Sequence, residues 1–174
     1  SQPLYTIGIK DKIDNVENSN KTDIVKKHIA IEILLNIIMG RSSKLYKELY
    51  NEGLIYSGAS LDYEFSKTYA HILIAGQSTD PEKLYEKFKL RVKELNENGI
   101  DENDFERNKK MIYGGYVKEY NDVTDIARMF LADYFKGINS FDYIEEINSI
   151  NVEYLNQVLK DVFKEENMVL SIIK

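Results

Sequence analysis

The chain has 174 residues, 43% hydrophobic and 30% charged, a length and balance suited to one globular domain with a proper core. Its net charge of −6 argues against a nucleic-acid partner, because phosphate binding needs a basic face. It has no cysteine, which excludes disulfides, thiolate chemistry and Cys-based zinc sites and is compatible with a reducing compartment.

Leu4 to Lys10 alternates, with Tyr5, Ile7 and Ile9 on one side, and reads as a half-buried strand. Asp11 to Asn20 is polar and reads as a loop, with Asn20 or Thr22 as the cap of the next helix. That helix should run from about Asp23 to Met39 and be buried, since its second half is apolar on most faces; Gly40 ends it. Its apolar run from Ile29 to Met39 contains Glu32 and Asn36 and is short of the about 20 residues a membrane span needs, so no membrane partner is expected.

Arg41 to Asn51 reads as a short helix with Leu45 and Leu49 inward, broken at Glu52-Gly53. Leu54 to Phe65 and Tyr69 to Gly76 read as two antiparallel strands joined by Ser66-Lys67-Thr68. Thr79-Asp80-Pro81 starts a helix with the stripe Leu84, Phe88, Val92 and Leu95. Asp101 to Asp104 starts another with a carboxylate-rich first turn. Gly114-Gly115 lies inside it, and close helix packing or a kink is the plain explanation for two costly glycines.

Asp122 to Lys136 is amphipathic and stops at Gly137; helices over Phe141–Ile150 and from Asn151 to Phe163 follow, then a strand from Met168 to Ile173. Strands and helices do not alternate regularly. The expected class is therefore α+β, an antiparallel or mixed β-sheet with helices packed on one face.

The chain offers little catalytic material. Its only histidines are His28 and His71. His28 and Glu32 sit four apart on one helix face and could chelate a metal weakly, but the ligand set is incomplete and a surface contact is the plainer reading. His71 reads as a buried or edge strand residue. No phosphate-binding glycine loop occurs, and Ser42-Ser43 lacks a base nearby, so helix capping is its expected role. Thirteen tyrosines are present, and Tyr46, Tyr50, Tyr56, Tyr63 and Tyr69 gather around the central stretch. They serve either as amphipathic packing residues or as a grip on a peptide. On its own residues the chain is a non-enzymatic α+β domain.

The stretch from Gly40 to Ser57 is more specific than the composition. Ser42, Ser43, Lys44, Leu45, Gly53, Leu54, Tyr56 and Ser57 follow a pattern of small turn, Ser-Ser-Lys/Arg-Leu, short helix and Gly-Leu-x-Tyr-Ser. This resembles the signature of the non-catalytic C-terminal domain of pitrilysin/insulinase-type zinc metallopeptidases, in a divergent bacterial form. The tail from Ser140 to Ile173 resembles the closing unit of the same domain, so the likeness covers nearly the whole chain. The resemblance implies the mitochondrial-processing-peptidase-like half architecture. It implies that residues 1–174 are a single domain, an excised C-terminal half or domain of a longer peptidase; a start close to a strand without an initiator Met suits that expectation.

The resemblance further implies a function. The N-terminal half of such a peptidase carries the zinc and the catalytic residues, and this half closes the chamber and positions unfolded peptide. No cofactor is expected in this chain itself. The implied partners are a peptide substrate, the N-terminal catalytic half of the same chain, and a homo- or heterodimeric mate; the implied location is the bacterial cytoplasm. The alternative is an inactive scaffold or partner subunit of the same fold. Family members often supply an Arg and a Tyr to the substrate from this half. Tyr56 occupies the Tyr position, whereas Tyr50 follows Glu48-Leu49 where the Arg would stand. The substrate-binding candidates are thus Tyr56, Tyr50, Arg41 and Lys44, with no catalytic or metal residue among them.

Overall fold

The computed structural model describes residues 2–12, 21–66 and 68–174. The cap expected at Asn20, most of the loop before it and Lys67 of the hairpin turn lie outside these residues. The elements in chain order are β1 (Leu4–Lys10), α1 (Lys21–Met39), α2 (Lys44–Asn51), β2 (Ser60–Phe65), β3 (Ala70–Gln77), α3 (Pro81–Asn98), α4 (Glu102–Glu119), α5 (Val123–Lys136), α6 (Asp142–Ser149), α7 (Val152–Val162) and β4 (Met168–Ile173). A single 3-10 turn, Glu165–Asn167, leads into β4.

The sheet is antiparallel throughout, in the order β2-β3-β1-β4. Period-two patterning decides its two faces. Tyr5, Ile7 and Ile9 of β1 and Ile72 and Ile74 of β3 are buried on the side the helices cover. The residues between them form an open face. Register aligns Asp62, Leu73, Gly8 and Val169 in one row across all four strands. The expected α+β class, with helices on one face, is the observed one.

Helix α1 is the centre of the helical layer. It is apolar on nearly every side, and Ile29, Ile31, Ile33, Leu34, Leu35 and Ile38 are all buried, as a helix surrounded by other elements requires. It contacts α2, α3, α4, α6, α7 and β2. Thr22 lies within α1 rather than at its cap. Helix α3 buries its stripe of Leu84, Phe88, Val92 and Leu95, and starts at an Asp80 cap followed by Pro81.

Three expectations change. Leu54 to Ala59 is not strand. Leu54 and Ile55 are both buried in succession, so the alternation a strand needs is absent, and the backbone of Leu54 is bonded to Leu49 and Thr79 instead of a neighbouring strand. Arg41 and Ser42 belong to a turn, and α2 begins at Lys44. Gly114 and Gly115 are exposed within α4, and a Cβ at either would meet nothing within 4 Å, which rules out close packing as their reason. The α4–α5 region is also less covered than amphipathic patterning suggests: on α5 only Asp133 is buried, and Phe135 is 77% exposed. No helix among the described residues is long and apolar enough to cross a membrane.

Candidate functional site

The signature stretch folds into a turn, helix α2 and an irregular segment leading to β2. Gly40 follows the last residue of α1, and only glycine fits there: a Cβ would lie 2.5 Å from the carbonyl oxygen of Asn36. Ser43 then caps α2, its Oγ accepting from the amide of Tyr46 at 3.0 Å. Leu45 and Leu49 are buried beneath the helix. At its far end Gly53 adopts φ 69°, the left-handed conformation that glycine tolerates best. Its amide bonds the Tyr50 carbonyl, and the Leu54 amide bonds the Leu49 carbonyl, with both leucines buried. This is a Schellman ending. The Thr79 amide and hydroxyl then tie Leu54 and Gly53 to the β3–α3 turn.

This scaffold presents Tyr56 at 64% exposure, its hydroxyl folded back toward Gly53. Tyr50 is also exposed and stacks on Tyr46, ring centroids 6.2 Å apart. Lys44 points to α3, where it shares the Glu94 carboxylate with Arg91. Those two cations hold Glu94 below the ordinary carboxylate range, the Arg91 bond contributing most. Arg41 projects from the turn and lies across Gly58. The structure thus brings Arg41 to the segment after Tyr56 and turns Lys44 elsewhere. The five tyrosines do not form one cluster, because Tyr63 donates to Asp11 and Tyr69 leans on His71. His71 is half-buried on the inner strand β3.

A second constellation surrounds His28 and Glu32, and it is more buried than a surface pair. The Tyr143 hydroxyl lies 2.6 Å from His28 Nδ1, while Nε2 faces Glu32 at 3.8 Å. Tyr116 donates to Glu32. The rings of Tyr63, Phe65 and Tyr143 enclose the imidazole at centroid distances of 5.4 to 5.5 Å. Burial, aided by nearby Lys136, pushes the His28 pKa down to about 3. Burial raises Glu32 to about 7, against the opposing hydrogen bond from Tyr116. Tyr116 and Tyr143 are pushed up by the same burial. The sequence shows the i, i+4 pair but gives no sign of tyrosines 84 and 115 positions away.

This pair does not fit zinc. His28 has one nitrogen facing Tyr143, and among the described residues no group of three His, Cys, Asp or Glu side chains is placed to hold a metal.

The architecture is a four-stranded antiparallel sheet with helices on one face and no metal-ligand set among its described residues. The family described as the peptidase M16 inactive domain matches residues 19–112, more than half of the chain, and the chain belongs to that family. It is 26% identical over 162 residues to the uncharacterised zinc protease YmfH of Bacillus subtilis, covering 91% of this chain and 36% of that protein. A solved structure described as an M16-like peptidase from Alicyclobacillus acidocaldarius has a TM-score of 0.89 at 26% identity, over 99% of this chain and 40% of that one. One described as the inactive peptidase domain of a zinc protease from Bordetella parapertussis has a TM-score of 0.80 at 12% identity, and shares the fold. This chain covers 99% of itself and 90% of that Bordetella chain, so the fold occurs in a crystal with little beyond it. The chain spans well under half the length of the Bacillus and Alicyclobacillus relatives.

Proposed function

We propose that this domain is the second half of a longer zinc-dependent peptidase, where it closes the chamber and positions unfolded peptide. The observation that carries the reading is the open face of the sheet. Leu4, Leu73, Val169 and Ile173 are exposed there on strands otherwise packed against helices, on a side that carries no helix among the described residues. An enclosed site that excludes water strengthens the electrostatics of the reacting groups. An extended peptide would pair with the free edge of β2, the strand into which the Tyr56 segment leads. Zinc would be held by the other half, and Tyr56, Tyr50 and Arg41 would touch substrate from this one.

The test is cleavage of a quenched, unfolded peptide by the longer protein, with and without a zinc chelator, beside this chain alone. Chelator-sensitive cleavage by the longer protein and none by this chain is the expected result. Tyr56→Phe in the longer protein should lower turnover by about tenfold, the worth of one hydrogen bond, with zinc content unchanged. The scaffold reading draws support from Tyr50 standing where the resemblance places an Arg. Silence of the longer protein toward every peptide would favour that scaffold reading.

A further inference from the structure

Most cations around α2 are neutralised. Lys44 and Arg91 share Glu94, and Lys83 and Lys87 share Glu52. Arg41 differs: it is exposed, and among the described residues no carboxylate lies within ion-pair distance of it. Its place is nonetheless built. A Cβ on Gly58 would come within 2.9 Å of Arg41 Nε and 3.3 Å of its Cγ. The φ of Gly58 is not positive, so its backbone suits any L-residue. What glycine supplies at 58 is the space that Arg41 occupies.

Beside this guanidinium lies a cavity of about 350 Å³ between the end of α1, the turn, the start of β2 and α4. Its walls are mostly apolar, from Met39, Ala59, Leu61 and Met111. An apolar recess with one unpaired cation at its edge matches a particular occupant. We propose that it is a side-chain subsite for an extended peptide. An apolar peptide side chain fills the cavity, and an acidic side chain next to it is held by Arg41.

The proposal rests on the peptide-positioning reading and adds the substrate class. The geometry is consistent with it. Side chains of a peptide added to β2 alternate between the open face and the helix side, where Leu61 and the cavity lie. Guanidinium is the side chain best matched to a carboxylate, since two parallel N–H bonds can form. The chain as a whole carries −6, which on balance disfavours acidic ligands. Arg41 would therefore act locally, as a selector.

The probe is a fluorescent, C-terminally amidated peptide with an apolar residue beside Glu, and its Gln counterpart. Affinity is read by anisotropy on this chain. The Glu peptide is expected to bind about tenfold more tightly, as one partly exposed charge-assisted contact allows. Arg41→Gln should abolish that ratio. Gly58→Val should also abolish it, by displacing Arg41 without removing its charge. Equal affinity for the two peptides, or a ratio untouched by Arg41→Gln, would overturn the subsite and leave peptide positioning standing. A preference seen only with a free peptide C-terminus would overturn the side-chain assignment. Failure of both peptides to bind, with circular dichroism showing a folded chain, would overturn both readings.

Discussion

His28 and Glu32 share one face of α1 and pull the pH dependence of stability in opposite directions. His28 is held at about 3, so the folded form is neutral and the unfolded chain takes up the proton first as pH falls. Its contribution is lost as pH drops from the ordinary histidine value toward about 3. Glu32 is held at about 7, so the folded chain keeps a proton that the unfolded chain releases earlier. Its contribution is lost as pH rises from the ordinary carboxyl value to about 7, and the loss persists above. Glu32→Gln removes only the second effect. With 32% of the Glu32 side chain open to water, the gain should be about 1 kcal/mol near pH 8, with little change near pH 4. Urea midpoints at the two pH values check it. A less stable variant at the higher pH would mean that the Tyr116 bond to the carboxylate outweighs the cost of burying it. The sequence shows this pair as a solvated contact, because nothing local announces the tyrosines that enclose it.

Helix α4 tests how far a glycine can be read from sequence alone. Two adjacent glycines in a helix suggest that something presses close, yet Gly114 and Gly115 face open space. Alanine at each should then stabilise the helix by about 0.5–1 kcal/mol, through reduced freedom of the unfolded chain and better propensity. Thermal unfolding of Gly114→Ala, Gly115→Ala and the double variant measures this; a lowered midpoint would show that the glycines answer a constraint within the folded chain despite the open space beside them. Gly40 and Gly58 look no different in the sequence, but both are pressed, by Asn36 and Arg41. The same limit explains the segment after Gly53. Val, Ile, Leu and Tyr are strand formers, so Leu54-Ile55-Tyr56 reads as strand, whereas the hydrogen bonds of Leu54 to Leu49 and Thr79 commit it to the helix ending. Elements with a strong period and a cap, such as α3 and α7, are legible because pattern, cap and burial agree.

At the scale of the whole molecule, element order and the one-sided helical layer are readable because burial of α1 and alternation of β1 together force a sheet with one covered face. The sequence does not say which strand residues remain uncovered, since that depends on register. Register places Leu73 on β3 between Asp62 of β2 and Gly8 of β1. A Cβ on Gly8 would lie 3.3 Å from Val169 and 4.0 Å from Leu73, so the row is already filled at its centre without one. Leu73 is 37% exposed and central in the face that the proposed chamber would enclose. Leu73→Lys sets a cation opposite Asp62, a tolerated cross-strand pair, and should change stability by less than about 1 kcal/mol. In the longer protein the same change should reduce turnover of an apolar unfolded peptide and spare its zinc content, because a charge then lines the path of the chain. Normal turnover with an unchanged urea midpoint would show that peptide does not run along the open face. The peptide would then have to be held from the β2 edge and the Arg41 side alone, and the affinity ratio between the Glu and Gln peptides would become the measure of how substrate is positioned.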